Sequence, residues 1–389
     1  MKLEFDYLIA GGGAAGLSLA YAIAQEPGLS QRRVLLVETH AKDQNDRTWS
    51  FWTDTPTWFD DIVAHEWGKL AFRSPTFEQV FELKQYRYKM IRGLAFYRFV
   101  HAALKDNPQF TLVTGTVESL ADTPEGVVAH TSAGQFTARY AFDSRPPQLT
   151  KNPAKYRYLL QHFIGWEVEA DHDVFDPTTV EFMDFRGPQC QEARFIYVLP
   201  FSPRKALVEY TLFSAEVLPA AEYEAALRSY LEETLGVQRF KIEAVEIGAI
   251  PMIDHPLPPR AGRHIINLGT RAGRAKPSTG YAFRRIQAHT QRLVAALAAT
   301  GAPPADLSGD QRQFLLFDTL LLDIMQRQGE RTRDIFSELF QRNPLERILA
   351  FLDEQTNWLD NLRIMNSVTP WPFLRSIVHV LRGRPGKRS

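Results

Sequence analysis

The chain has 389 residues, 44% of them hydrophobic and 23% charged, which suits two interleaved domains with a helical tail and argues against extended disorder. Lys and Arg together number 45, as do Asp and Glu, so the formal net charge is +0 and a globally basic, nucleic-acid-binding surface is excluded. The single cysteine, Cys190, excludes an internal disulfide and a cysteine-based metal cluster and suits a reducing cytoplasm.

Phe5 to Ala10 reads as a short buried strand, Ala14 to Gln25 as an Ala- and Leu-rich helix, and Arg33 to Glu38 as a second apolar strand, together a parallel βαβ start. Glu4 and Asp6 interrupt the approach to the first apolar run, so a signal peptide is not expected, and no stretch reaches the roughly 18–20 apolar residues of a spanning helix. Residues 41–60, polar and aromatic, read as a loop, and Leu94 to Leu104 as a helix. Phe110 to Ser119, Gly126 to Thr131 and Gln135 to Asp143 read as an antiparallel meander. A Pro-rich crossover, 146–153, then leads into long alternating strands at 158–170, 178–185, 193–199 and 206–213. A helix over 220–235 and a strand over 240–250 follow. His264 to Gly269 reads as a strand ending in glycine, 281–299 as a helix, and everything from Gly309 onward as helical.

Gly11-Gly12-Gly13-Ala14-Ala15-Gly16 is a G-x-G-x-x-G string between a strand and a helix. Gly11 permits the tight turn, Gly13 lets backbone approach a pyrophosphate, and Gly16 lets helix and strand pack closely. The helix N-terminus at Ala14 and Ala15 offers unpaired amides and a positive dipole end. Glu38 ends the next strand, where an acid bonds ribose hydroxyls. A classical NAD enzyme would continue with alternating β and α units. Here an antiparallel sheet intervenes, and the chain returns at Ile265 to Gly269 with the loop Thr270-Arg271-Ala272-Gly273. That return, with Gly269 and Gly273 near the cofactor, favours FAD. The expected class is α/β: a Rossmann-type FAD-binding domain of the two-dinucleotide-binding-domain kind over 1–150 and 251–300, an inserted antiparallel-sheet substrate domain over 151–250, and a helical C-terminal region over 301–389.

Glu209 stands inside an apolar strand, Ala206-Leu207-Val208-Glu209-Tyr210, with Leu207 and Thr211 on its face. Burial there would disfavour the carboxylate and keep the acid neutral near pH 7. The pattern alone equally allows a solvated face.

The whole chain resembles the lycopene β-cyclase family of carotenoid-ring-forming flavoproteins. The resemblance is carried by Asp6 to Leu17, by Asp46-Arg47-Thr48-Trp49-Ser50-Phe51-Trp52, by His162-Phe163-Ile164-Gly165-Trp166, by Leu199 to Pro203 with Ala206 to Thr211, by Ile250-Pro251-Met252, by Lys276-Pro277-Ser278-Thr279-Gly280-Tyr281, and by Leu359 to Met365. Lys276 stands where the family commonly has His, and Tyr210 replaces an acidic residue. The resemblance implies Glu209 as catalytic acid, reduced FAD as cofactor with Gly280 near it, NAD(P)H as electron donor, and lycopene or a related linear carotenoid as substrate. It implies proton-driven, redox-neutral closure of the linear ends to β-rings. It also implies a substrate pocket with Arg47, Trp49, Trp52, His162, Phe163 and Trp166, the aromatics offering cation–π stabilisation. A monooxygenase or reductase acting on an isoprenoid with the same fold, and a non-catalytic carotenoid- or flavin-binding protein, are the competing readings. No His, Cys, Asp and Glu spacing suggests a metal.

After Asp360 no acidic residue occurs, whereas Arg363, Arg375, Arg382, Arg384, Lys387 and Arg388 do, interleaved with Trp371, Phe373, Leu374 and Ile377. An apolar stripe flanked by cations suits an anionic bilayer surface, the expected location being the cytoplasmic face of the membrane. A docked helix with a basic tail fits the same pattern.

Overall fold

The computed structural model describes residues 3–147, 149, 152, 155–307 and 312–382. Strand β1 (Phe5–Ala10) lies between β2 (Val34–Glu38) and the long β11 (Gly134–Asp143), parallel to both. Strand β8 (Phe110–Thr114) extends the parallel set beyond β2, and β17 (Ile265–Asn267) adds a further parallel strand against β11. The strands are continuous apolar runs because both faces are covered. Tyr7, Ile9 and Leu36 pack under α1 (Ala14–Gln25), α2 (Gly93–Lys105) and α4 (Phe283–Thr300). Leu8, Ala10, Leu35 and Val37 pack on residues of β9 (Val117–Asp122) and β10 (Val127–Thr131), the antiparallel arm running on from β11. The expected meander is therefore divided: 110–114 joins the parallel strands and only 117–143 forms the arm.

A second sheet runs β16 (Phe240–Ile253), β12 (Tyr158–Ala170), β15 (Lys205–Ser214), β14 (Ala193–Pro200) and β13 (Thr179–Asp184). It ends with β5 (Lys69–Arg73) and β6 (Glu78–Glu82). One face carries Ile164, Trp166, Val168, Val208 and Leu212 beneath α3 (Ala220–Ser229). The other carries Leu207, Leu199, Phe195 and Phe213. It shares a core with helices α5 (Arg312–Arg327), α6 (Arg331–Arg342) and α7 (Leu345–Leu352), as in the stacking of Phe72 on Phe340 at 4.4 Å. Helices α8 (Trp358–Ser367) and α9 (Pro370–Arg382) follow. A small sheet, β3 (Thr48–Thr53), β7 (Arg87–Arg92) and β4 (Val63–Trp67), bridges the two halves.

Three further expectations change. The segment 41–60 is not all loop, because Thr48–Thr53 pairs with β7. The N-terminal stretch 1–150 is not one domain's property either: β5 pairs in parallel with β13, so residues 69–82 belong to the second sheet. The helix expected over 220–235 ends its α-helical part at Ser229 and finishes in a wider π-turn, Tyr230–Thr234.

Candidate active site

At the end of β1, Gly11 turns with φ +98°, and a Cβ there would stand 2.7 Å from Ser144 Oγ. A Cβ at Gly16 would lie 1.9 Å from the Gly11 carbonyl oxygen, so turn and helix touch. Gly13 differs. Its backbone is extended, a Cβ would meet nothing within 4 Å, and it precedes α1 without a capping side chain. The amides of Ala14 and Ala15 have no intrahelical acceptor, and the positive end of the helix dipole lies beside this opening. Glu38 stands across the turn, accepting from the amides of Gly12 and of His40, the latter at 3.0 Å. Gly269, with φ +55°, brings the return loop against α1, since its Cβ would lie 2.9 Å from that of Ala15. Gly273 closes that turn with φ +70°. Gly280, with φ +72°, lies against β12, where a Cβ would strike Gln161 Oε1. Asp143, behind the loop, is pushed up by burial, yet Arg145 and Arg271 hold its carboxyl below the usual range. These residues fit an anionic phosphate at the helix start and hydroxyl donors at Glu38.

The second focus is Glu209. Register places Glu246, Gly165, Glu209 and Tyr197 on one rung of four adjacent strands, hence on one face. A Cβ at Gly165 would stand 3.1 Å from Leu207 Cδ1 and 3.5 Å from Glu209 Cβ and Cγ, so the glycine lets the Glu209 stem lie across the rung. Thr211 Oγ1 donates to Glu209 Oε1 at 2.7 Å. Tyr88 and Tyr197 share a hydroxyl–hydroxyl bond of 2.8 Å, and Tyr281 packs on Trp52 at 4.8 Å between ring centroids. The charge of Glu209 acts on both Tyr88 and Tyr281, which places it among these rings. Burial, and then the charge of Glu246, push the Glu209 carboxyl up to about 8 against the bond from Thr211. Protein surrounds the carboxyl although the residue keeps some accessible surface. The group therefore holds its proton at neutral pH in apolar, electron-rich surroundings.

A family model described as "Lycopene cyclase protein" matches residues 6–378. The chain belongs to the lycopene cyclase family. It is similar to the lycopene beta-cyclase of Pantoea ananas, 25% identical with 98% of this chain and 99% of that one covered. Membership makes it an enzyme of carotenoid biosynthesis. Among solved structures it is similar to a geranylgeranyl bacteriochlorophyll reductase-like protein from Thermoplasma acidophilum, with TM-score 0.61, 13% identity and coverage of 96% and 99%. It is also similar to the flavin-dependent monooxygenase PieE, with TM-score 0.58, 15% identity and coverage of 98% and 72%. These likenesses establish the fold, an FAD-binding Rossmann-type α/β architecture with an additional sheet and C-terminal helices.

Within this cyclase-family fold the residues expected in the pocket part company. Trp52 is buried against Tyr88, Phe182 and Tyr281, near Glu209, and its indole nitrogen has no protein partner. Phe163 shares Glu209's face, its ring lying over Gly248, where a Cβ would come within 2.3 Å. Trp49 turns the other way on β3 and packs on Phe96, Tyr97 and Phe283 in the first core. Arg47 is exposed beside Asp46 at 3.7 Å rather than buried with the aromatic side chains. His162 and Trp166 are corrected more sharply. They lie on the opposite face of β12 from Gly165, so they do not line the Glu209 side. His162 is fully buried, bonded to Ser214 at 2.7 Å and to the Tyr223 hydroxyl, and burial pulls its imidazole down to about 4. That is a neutral structural histidine holding α3 to the sheet. Tyr210 faces the same side, next to Tyr223. Lys276 is buried between Asp318 and Glu354, each at 2.8 Å, tying the return loop to the C-terminal helices. Sequence reasoning missed Glu246, Tyr88 and Tyr197. The lone acid in Val245-Glu246-Ile247 was a visible signal, but its partner Thr48 lies far away in the chain. Among the described residues no group of His, Cys, Asp and Glu suits a metal ion.

Proposed function

We propose that the chain is a lycopene β-cyclase, closing the linear ψ-ends of lycopene to β-ionone rings with no net redox change. The observation that carries this reading is the Glu209 carboxyl, protonated near pH 7 and set among Trp52, Tyr88, Tyr197, Tyr281 and Phe163. Protonating an isolated alkene requires an acid that keeps its proton until the substrate arrives, and walls that tolerate a carbocation. Glu209 delivers the proton to the terminal double bond, the next double bond attacks the tertiary cation, and loss of a ring proton leaves the β-end, with protons and electrons conserved overall. Aromatic faces stabilise the cation and exclude water that would trap it as an alcohol. FAD fits the Gly11–Gly16 turn, Glu38 and the Gly269–Gly273 loop. In reduced form, with NAD(P)H as donor, it would supply negative charge near the cation.

A second element of the proposal is location. Helices α8 and α9 leave Trp358, Leu362, Trp371, Leu374, Ile377 and Leu381 exposed, beside Arg363, Arg375 and Arg382. Only Ser376 and Val380 of α9 are buried. No described helix is long and apolar enough to cross a membrane. An apolar face rimmed by cations fits an anionic bilayer, the cytoplasmic leaflet where a carotenoid resides. Arg384, Lys387 and Arg388 lie outside the described residues.

The test is pigment analysis in a lycopene-accumulating bacterium. The wild-type chain is expected to yield γ- or β-carotene of unchanged mass. Glu209→Gln is expected to leave lycopene, with flavin retained and a loss of about 100- to 10,000-fold in rate. Glu169→Gln, at a partly exposed site paired with Lys205, serves as control. Ring formation by Glu209→Gln would place the acid elsewhere.

A further inference from the structure

The two glutamates of the rung meet different partners. Thr48 donates to Glu246 twice, its amide to Oε1 at 2.8 Å and its hydroxyl to Oε2 at 2.6 Å. A backbone amide only donates, so it fixes Oε1 as an acceptor, and an ionised carboxylate accepts both bonds at once. Burial raises the Glu246 carboxyl overall, as it does Glu209, but here the two Thr48 bonds and the guanidinium groups of Arg47 and Arg92 oppose it, whereas Glu209 has only Thr211 to do so. Arg92 is itself shared with Glu167 at 2.9 Å. Glu209 has one donor, Thr211, and otherwise faces the phenols of Tyr88, Tyr197 and Tyr281 and the charge of Glu246. Gly165 stands between the two and carries no side chain to separate them. Two acids one strand apart that act on each other through their charges, with unequal partners, divide their protons unequally, one ionising early and forcing the other to stay neutral.

We propose that Glu246 is a positioning residue of the acid site: pinned by Thr48 across Gly165, it is the ionised member of the pair, and its charge keeps the proton on Glu209. The inference rests on Glu209 being the acid, and the experiment separates the two ideas. In flavin-loaded enzyme, the infrared carbonyl band of a protonated carboxyl is assigned to Glu209 as the band lost in Glu209→Gln, and is then titrated. Its midpoint in the wild type is expected near the value of about 8. In Glu246→Gln the midpoint falls by about one pH unit. The alkaline limb of the cyclisation rate falls with it, up to about tenfold above pH 8 and little at pH 6. Thr48→Val, which keeps the amide donor and the shape, gives a smaller shift in the same direction and serves if Glu246→Gln folds poorly. A midpoint unmoved in the variants that fold overturns the proposal, even where flavin content or thermal stability drops, because a merely structural role moves those alone. Ring formation by Glu209→Gln sinks the underlying reading instead.

Discussion

Glu209 is held in the folded chain with a proton that the unfolded chain gives up more readily. Its ordinary value is 4.5, and burial with the Glu246 charge takes it up to about 8. Below about 4.5 both states are protonated and the residue is neutral in its effect. Between 4.5 and 8 the unfolded chain binds fewer protons than the folded one, so stability is lost as pH rises through that window. Glu209→Gln removes this cost. The variant is expected to melt at the wild-type temperature near pH 4.5 and several degrees higher at pH 8–9, a gain on the order of a few kcal/mol. Equal melting temperatures at both pH values, read by calorimetry, would show that Glu209 is solvated. Gly13 sits at the opposite extreme. Its backbone is extended and its Cβ position is open, so Gly13→Val leaves the fold intact while filling the space that the pyrophosphate needs. Purified Gly13→Val is expected to keep its melting profile without flavin and to lose most bound FAD; full flavin content would refute the site. Both positions were legible in the sequence, one as an acid in an apolar run, the other in a glycine turn of known geometry. His162 and Trp166 were not. Which face of β12 meets the acid depends on its register with β15, and register is decided by long-range pairing.

At the scale of elements, alternation was enough to mark most strands but not to assign them to sheets. Lys69–Arg73 went unmarked in the sequence; it forms a hairpin with β6 and on its other edge pairs with β13, more than a hundred residues on. Thr48–Thr53 was hidden among polar residues because its partner, Arg87–Arg92, lies across an intervening excursion. The C-terminal helices were visible through their 3.6-residue period, a pattern that fits a docked helix and a membrane-facing one alike. Helix α9 is anchored through Ser376, which donates to the Leu320 carbonyl at 3.1 Å, while Trp371 is 68% exposed. A docked helix normally buries its largest apolar side chains, whereas here the small residue is buried and the tryptophan is not. Trp371→Ser with Ile377→Ser therefore leaves the anchored face untouched. The double variant is expected to fold normally and to lose about tenfold or more in partition onto anionic liposomes, measured by sedimentation at low salt, with cyclisation in detergent retained. Unchanged sedimentation would assign those side chains another partner.

The whole molecule shares its architecture with a reductase-like protein and a flavin-dependent monooxygenase, names that denote redox chemistry. Architecture alone therefore does not choose between chemistries. The proposed ring closure draws on the way the halves meet. The bridging sheet sets Trp52 and Tyr88 over the Glu209 rung, and the return loop adds Tyr281, so the region between the cofactor cradle and the second sheet is walled by rings around one neutral acid. A hydroxylase needs oxygen to reach its flavin and a polar exit for the product alcohol. A proton-driven closure needs a protected cation and a donor that is recharged. Stoichiometry follows from that difference. With reduced flavin supplied anaerobically, the enzyme is expected to close rings over many turnovers without consuming oxygen and without oxidising NADPH in proportion to product. Its pigment product is expected to have the mass of the lycopene supplied. Consumption of one oxygen or one NADPH for each product formed, with a corresponding gain of oxygen or hydrogen in product mass, would move the chain to monooxygenase or reductase chemistry. In that event Glu209→Gln would still report on proton delivery, but to a flavin-linked step rather than to the alkene.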